Sequence, residues 1–294
     1  MHQPIKVILW LLPLLLVTVG SFARNTMVAT KSGTIVVIGA SKNKIVVAAD
    51  SRAENDAGEY DDHECKIIAL SDKFVFAFNG IGDLSLVLST TDSSERYTMN
   101  AGEEAKLAFE SVPPGSDDFL STVALLWGRH VSRIFRQAIA VSGTEQEVFA
   151  DIREGGAITQ GYFLGLTPKG GLVLYMENVI RLGNDVSFTP VPEAVPLTDA
   201  ISYTPHGGFI DTVEALRRGK TEWAKKEIAR WERLSFSLAE DDRDVLKAVR
   251  WVQLTLDAHQ GSHRIGGPID SLTLDPITGI RWHSVKKECG DQQH

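Results

Sequence analysis

The chain has 294 residues, 43% hydrophobic and 23% charged, which excludes disorder or a fibre and leaves ample material for a packed core. A formal net charge of -8, with no run of lysine and arginine, excludes nucleic acid as a partner, because phosphate binding needs a clustered basic surface.

Lys6 gives a short basic start, and Val7 to Gly20 is almost wholly apolar. Ser21-Phe22-Ala23 then supplies small residues at the positions a signal peptidase inspects. This pattern predicts a signal peptide over residues 1–23 and a secreted or periplasmic protein. The alternative is a membrane anchor by an uncleaved N-terminal segment, but the apolar run falls short of the roughly 20 residues that span a bilayer core. Cys65 and Cys289 are the only cysteines; in an exported chain they either pair or stand as lone thiols.

From position 34 the text reads strand, turn, strand, twice over. TIVVIGA (34–40) and KIVVAAD (44–50) flank a polar Ser41-Lys42-Asn43 turn, and KIIAL (66–70) and KFVFAFNG (73–80) flank Ser71-Asp72. Continuous Ile, Val and Phe runs between turn residues predict strands buried on both faces. The spacing then predicts helices over Ile81 to about Tyr97, Glu103 to Val112 and Ala124 to Ala138, with a break at Pro113-Pro114-Gly115. Strand signals return in GYFLGLT (161–167) and GLVLYMENV (171–179). A loop holding Pro190, Pro192 and Pro196 leads to helices over Thr221 to Leu234 and Asp241 to about Ala258, the latter with Val245, Val249, Val252 and Leu256 at helical steps. IDSLTL (269–274) and GIRWHSV (279–285) close the chain as strands. This order predicts an α+β fold with two stacked sheets between two helical layers, a four-layer αββα sandwich in one domain over residues 34–294.

Four residues in the first strands carry chemistry. Thr34 follows Gly33 and opens the first strand; Asp50 ends the second; Lys66 and Gly80 bound the next pair. Taken singly, Thr34 is a β-branched strand residue, Asp50 a strand-end turn residue, Lys66 a solvated strand start and Gly80 a turn glycine. Together they form the parts of an amidase. A threonine hydroxyl becomes a nucleophile when a base takes its proton, and a freed α-amine, with an ordinary pKa of about 7.7–8.0, can be that base. A nearby Lys66 favours the neutral amine, Asp50 holds the lysine, and the Gly80 backbone N–H can donate to a tetrahedral oxyanion.

These residues, together with VVAADSRA (46–53), Glu64-Cys65-Lys66 and AFNGIGD from Ala77 on, resemble the β-type subunits of the proteasome and the bacterial proteasome-like peptidases of the N-terminal-nucleophile hydrolase superfamily. The resemblance is strong over about residues 33–86. It implies catalytic roles for Thr34, Asp50, Lys66 and Gly80, and self-cleavage at Gly33-Thr34 that removes residues 24–33 as a propeptide. It places Ala53, Glu64, Ile68, Phe78 and Gly82 around the substrate pocket, where Glu64 would favour a basic side chain. The implied function is an exported threonine-type amidohydrolase or peptidase acting on peptide or small amide substrates. It would need no cofactor and, outside the cytoplasm, no ATPase partner; a homo-oligomer is compatible with the resemblance.

The pattern also departs from the family. Where the family carries an aspartate and a serine before the last Gly-Gly, this chain has Ser262 and Ile265 in Ser262-His263-Arg264-Ile265-Gly266-Gly267. Thr204-Pro205-His206-Gly207 stands where the family has a Gly-Ser-Gly turn. These departures raise the alternative of a catalytically inactive binding or assembly protein of the same fold. No metal site is expected: Asp61-Asp62-His63-Glu64 reads as a solvated acidic loop, and the His259/His263 pair is interrupted by Gly261. Arg52 either braces Asp50 or lies on the surface.

Overall fold

The computed structural model describes residues 25–32, 35–55, 58–89, 94–142, 152, 154–207, 215, 218–219, 221–235, 238–259 and 264–290. The expected signal peptide, the Gly33-Thr34 bond, Ser262 and His263 lie outside the described residues.

The architecture is mixed α+β, and every strand pair among the described residues is antiparallel. The ten-stranded sheet contains β1 (Asn25–Ser32), β4 (Ala53–Asn55), β5 (Tyr60–Asp61), β6 (Ile67–Ala69), β7 (Phe74–Ser89), β8 (Ser94–Asn100), β9 (Ala157–Leu166), β10 (Leu172–Leu182), β11 (Asp185–Phe188) and β12 (Glu193–Ala194). Its main path runs β11-β10-β9-β7-β1-β4-β5. The five-stranded sheet is made of β2 (Ile35–Ala40), β3 (Ile45–Ala49), β13 (Ser202–Gly207), β14 (Asp270–Asp275) and β15 (Gly279–Ser284), in the order β13-β2-β3-β14-β15. The helices are α1 (Ala101–Ser111), α2 (Phe119–Ser142), α3 (Glu222–Ser235), α4 (Glu240–Ala258) and the short α5 (Lys287–Gly290).

The first strands lack alternation because both their faces are covered. On β2 and β3, Val36, Ile38, Val47 and Ala49 join a cluster with Val75, Ala77, Tyr162 and Leu164 of the other sheet. Their neighbours Ile35, Val37, Val46 and Ala48 pack instead against Val245, Ala248 and Val252 of α4. Phe76 and Phe78 of β7 turn away from the second sheet and meet Val123, Trp127, Val131 and Phe135 of α2. Trp127 is wholly buried, with ring centroids 5.5 Å from Phe76 and 5.8 Å from Phe163. Its indole N–H donates to the Ala101 carbonyl at 3.0 Å, which satisfies the one polar atom it buries.

The helix expected from Ile81 to Tyr97 is absent. β7 runs on to Ser89 and returns as β8, so this segment is a hairpin. Leu84, Leu86 and Leu88 recur every second residue, a strand period that the sparser helical spacing concealed. Helix α1 begins only where Asn100 caps it, its side-chain oxygen accepting from the Glu103 N–H at 2.9 Å.

Glu177 of β10 is fully buried. Its Oε1 accepts from the Thr189 N–H at 2.8 Å, while Oε2 has no partner among the described residues. Burial pushes this carboxyl up to about 8. A raised folded-state pKa means that the bound proton stabilises the fold fully at acid pH, and that this contribution is lost as pH rises through about 8. Glu177→Gln, neutral throughout, should melt close to wild type at about pH 5 and above it at about pH 9. A melting difference that does not change with pH would contradict this assignment.

Candidate functional site

Asp50 is the organising residue. It directly follows β3, is almost completely buried, and accepts hydrogen bonds from three separate segments. Oδ1 accepts from the Ile35 N–H at 2.9 Å and from Lys66 Nζ at 3.0 Å, and Oδ2 accepts from the Gly266 N–H at 2.9 Å. Ile35 directly follows Thr34, so Asp50 anchors the first residue after the candidate nucleophile. The strand pairing explains why the carboxylate arrives there: β2 and β3 are joined in register from Val36↔Ala49 to Ala40↔Ile45, which brings the end of one beside the start of the other.

Lys66 stands just before β6 and is also buried. Its amine donates to the Arg52 carbonyl as well as to Asp50. Burial pushes the Lys66 amine below its usual value, and the adjacent Asp50 carboxylate opposes that shift. Such a pair is held where water cannot screen it, so each member depends on the other. The lysine is therefore a buried structural cation, not a solvated strand start.

Gly80 lies on β7 opposite Thr159 of β9, with φ +91°. A Cβ there would overlap the Ile158 carbonyl oxygen, so glycine is required by both conformation and space. Here β7 changes partners, pairing with β9 up to Gly80 and with β1 from Ile81. Ser32 of β1 is directly opposite Ile81. The Phe78 N–H donates to the Lys66 carbonyl at 3.2 Å, which ties the glycine strand to the lysine. The described residues flanking positions 33 and 34 thus meet Gly80's neighbour on one side and Asp50 on the other.

The Gly266-Gly267 turn closes the site from behind. The Gly266 carbonyl accepts from both Ser51 N–H and Arg52 N–H at 3.1 Å, and Ser51 Oγ donates to the Pro268 carbonyl at 2.8 Å. Gly267 has φ +73°, and a Cβ on it would sit 2.6 Å from Ser51 Oγ. Ile265, at the position where the resemblance expects a serine, is buried.

Of the expected pocket residues, Ile68 and Phe78 share the apolar cluster beneath α1 and α2, and Gly82 abuts the Phe78 ring. Ala53 is buried on β4, one residue beyond the Arg52 carbonyl that holds Lys66. Glu64 is half-exposed, and its N–H donates to the Ser51 carbonyl. Ala53 and Glu64 do not belong to the cluster of Ile68 and Phe78. Arg52 does not brace Asp50 through its side chain. It forms a two-pronged pair with Asp62 at 2.6 and 3.0 Å and stacks over Tyr60, which holds Asp62 below the usual carboxylate range.

Several site contacts carried no sequence signal. Cys65 is bonded to Cys289, which resolves the two alternatives in favour of pairing. Beside that bond, Lys286 Nζ contacts Asp270 at 2.7 Å and donates to the Glu64 carbonyl at 2.7 Å, so the C-terminal segment clamps the residues before Lys66. His206 of β13, opposite Val36, stacks on Tyr162 at 4.3 Å, and burial lowers its pKa to about 4, so it stays neutral near pH 7. The Asn79 amide donates to Tyr162 Oη at 2.7 Å. A hydrogen-bonded polar group thus lies among the apolar residues between the sheets, reached only through strand pairing.

Comparison with models of known protein families gives no match, and comparison with curated protein sequences gives none either.

Asp50→Ala should lower the unfolding free energy by about 3–5 kcal/mol in a denaturant titration, because it strands a buried lysine and two backbone donors. A loss below about 1 kcal/mol would contradict the anchoring role. Replacing both Cys65 and Cys289 by serine should cost about 2–5 kcal/mol by the same titration. Wild type in reductant should show the same loss.

Proposed function

We propose that the protein is an exported threonine-type amidohydrolase of the N-terminal-nucleophile class, with the four-layer αββα sandwich of the proteasome-like peptidases that its motifs resemble. The observation that carries this reading is the Asp50 carboxylate, which joins the Ile35 N–H, the Lys66 amine and the Gly266 N–H at the strand start following Thr34. A buried lysine held beside the residue after a threonine is the electrostatic arrangement such a nucleophile requires.

In this reading maturation is a self-cleavage. The Thr34 hydroxyl adds to the Gly33 carbonyl, the peptide nitrogen leaves as the Thr34 amine, and water hydrolyses the resulting ester to release the Gly33 carboxylate. The freed amine then takes the hydroxyl proton when Thr34 attacks a peptide or small amide, and passes it to the leaving nitrogen. The Gly80 N–H donates to the oxyanion, and the Lys66 charge stabilises it. Water completes the cycle by hydrolysing the acyl-threonine. Ala53, Glu64, Ile68, Phe78 and Gly82 flank the pocket, with Glu64 favouring a basic side chain. The disulfide fits an oxidising compartment, and a signal peptide through Ala23 would deliver the chain there. No helix among the described residues is long and apolar enough to cross a membrane.

A second reading, a binding or assembly protein that no longer turns over, is favoured by two observations. Ile265 is a buried apolar side chain where the family carries a polar support, and β1 occupies the sheet next to Gly80, paired along its length with β7 and at its last two residues with β4. The intact mass of the exported protein separates the two. A chain beginning at Thr34 supports the hydrolase, with Thr34→Ala blocking both processing and turnover; a chain beginning at Arg24 in wild type supports the binding protein.

A further inference from the structure

Strand β1 is inserted between β4 and β7; each of its positions has a partner on β7, and positions 31 and 32 also have one on β4. Position 31 is directly opposite Asn55 of β4 and Asp83 of β7. Both of these residues line a cavity of about 510 Å³ whose other polar walls are Ser85 of β7, Arg96, Thr98 and Asn100 of β8 and Glu103 and Glu104 of α1. Directly opposed residues in antiparallel strands share a sheet face, so the cavity belongs to the face of position 31. The sequence places a lysine there.

The chemistry of the walls suits a cation. Three carboxylates and one guanidinium line the cavity. Asn100 organises them, its amide donating to Asp83 Oδ1 at 2.6 Å while its oxygen caps α1 through the Glu103 N–H. That cap and the acidic first turn offset the positive end of the α1 dipole. Glu103 also pairs with Lys106 at 2.9 Å, and Glu104 lies 3.6 Å from His130. Asp83 is the carboxylate directly across the register from position 31.

We propose that this cavity is a specificity pocket for a basic side chain, read at the third residue before the bond to be cut. Lys31 occupies that place relative to Gly33-Thr34. Once β1 is released, the edges of β4 and β7 can pair with an extended peptide in the same register, which places a substrate lysine or arginine beside Asp83. The proposal rests on the hydrolase reading for its substrates, but the pocket itself is tested without catalysis.

In the full chain carrying Thr34→Ala, hydrogen exchange of the amides of residues 25–32 reports how firmly β1 is held. Adding Lys31→Glu should speed their exchange by roughly tenfold or more, Lys31→Arg should preserve protection, and Lys31→Glu with Asp83→Lys should restore it. Unchanged protection with Lys31→Glu would overturn the pocket. In the processed wild-type protein, peptides differing only at the third residue before the cleaved bond should show kcat/KM roughly tenfold higher for lysine than for glutamate, and Asp83→Asn should shrink that ratio. Equal rates would also overturn the pocket. Absence of cleavage for every peptide would instead remove the hydrolase reading, and the exchange result would still decide the pocket.

Discussion

The Asp50 carboxylate accepts from the main chain at the start of β2, from the lysine before β6 and from the glycine turn before β14, so three parts of the molecule distant in sequence converge on two oxygen atoms. A buried carboxylate is costly unless paired and hydrogen-bonded, and each of its donors is nearly as costly to leave unmet. This mutual dependence makes the junction of the two sheets a defined geometry. Without Asp50, Lys66 would be an uncompensated buried cation and the strand that follows Thr34 would lose its anchor.

Around that junction the chain adds covalent and ionic support. The Cys65–Cys289 bond joins the residue before Lys66 to the C-terminal helix, and Lys286 reaches from the same end to the Glu64 carbonyl. Both constraints act on the segment that delivers the lysine. They leave β1 outside the clamp, held in the ten-stranded sheet by its pairing with β4 and β7. On the proposed hydrolase reading, a pinned lysine beside a strand outside the clamp suits a site that removes its own leader before it admits substrate.

Much of the site was legible in sequence, for identifiable reasons. Asp50, Lys66 and Gly80 each terminate or begin an apolar run, and a charged residue or glycine at such a boundary stands out. The buried β2, β3 and the first half of β7 were equally clear, since strands covered on both faces are written in unbroken Ile, Val and Phe. The hairpin of β7 and β8 was not. Its leucines alternate with serine and valine over a span too short to outweigh the helical spacing, and it is the pairing with β1 and β8 that fixes it as a strand. Arg52 left two alternatives open because proximity in sequence to Asp50 says nothing of direction; its side chain reaches Asp62.

The sequence by itself determined the α+β composition, the run boundaries and the identity of the charged groups at those boundaries, because local patterning and residue chemistry are written one residue at a time. Only the tertiary structure decided that Cys65 meets Cys289, that the Gly266 N–H completes the Asp50 shell, and that residues 25–32 form a strand opposite Asp83 and Asn55. Those facts depend on contacts between residues far apart in the chain. Such contacts are selected by the burial of whole faces and the pairing of whole strands, which no local pattern specifies.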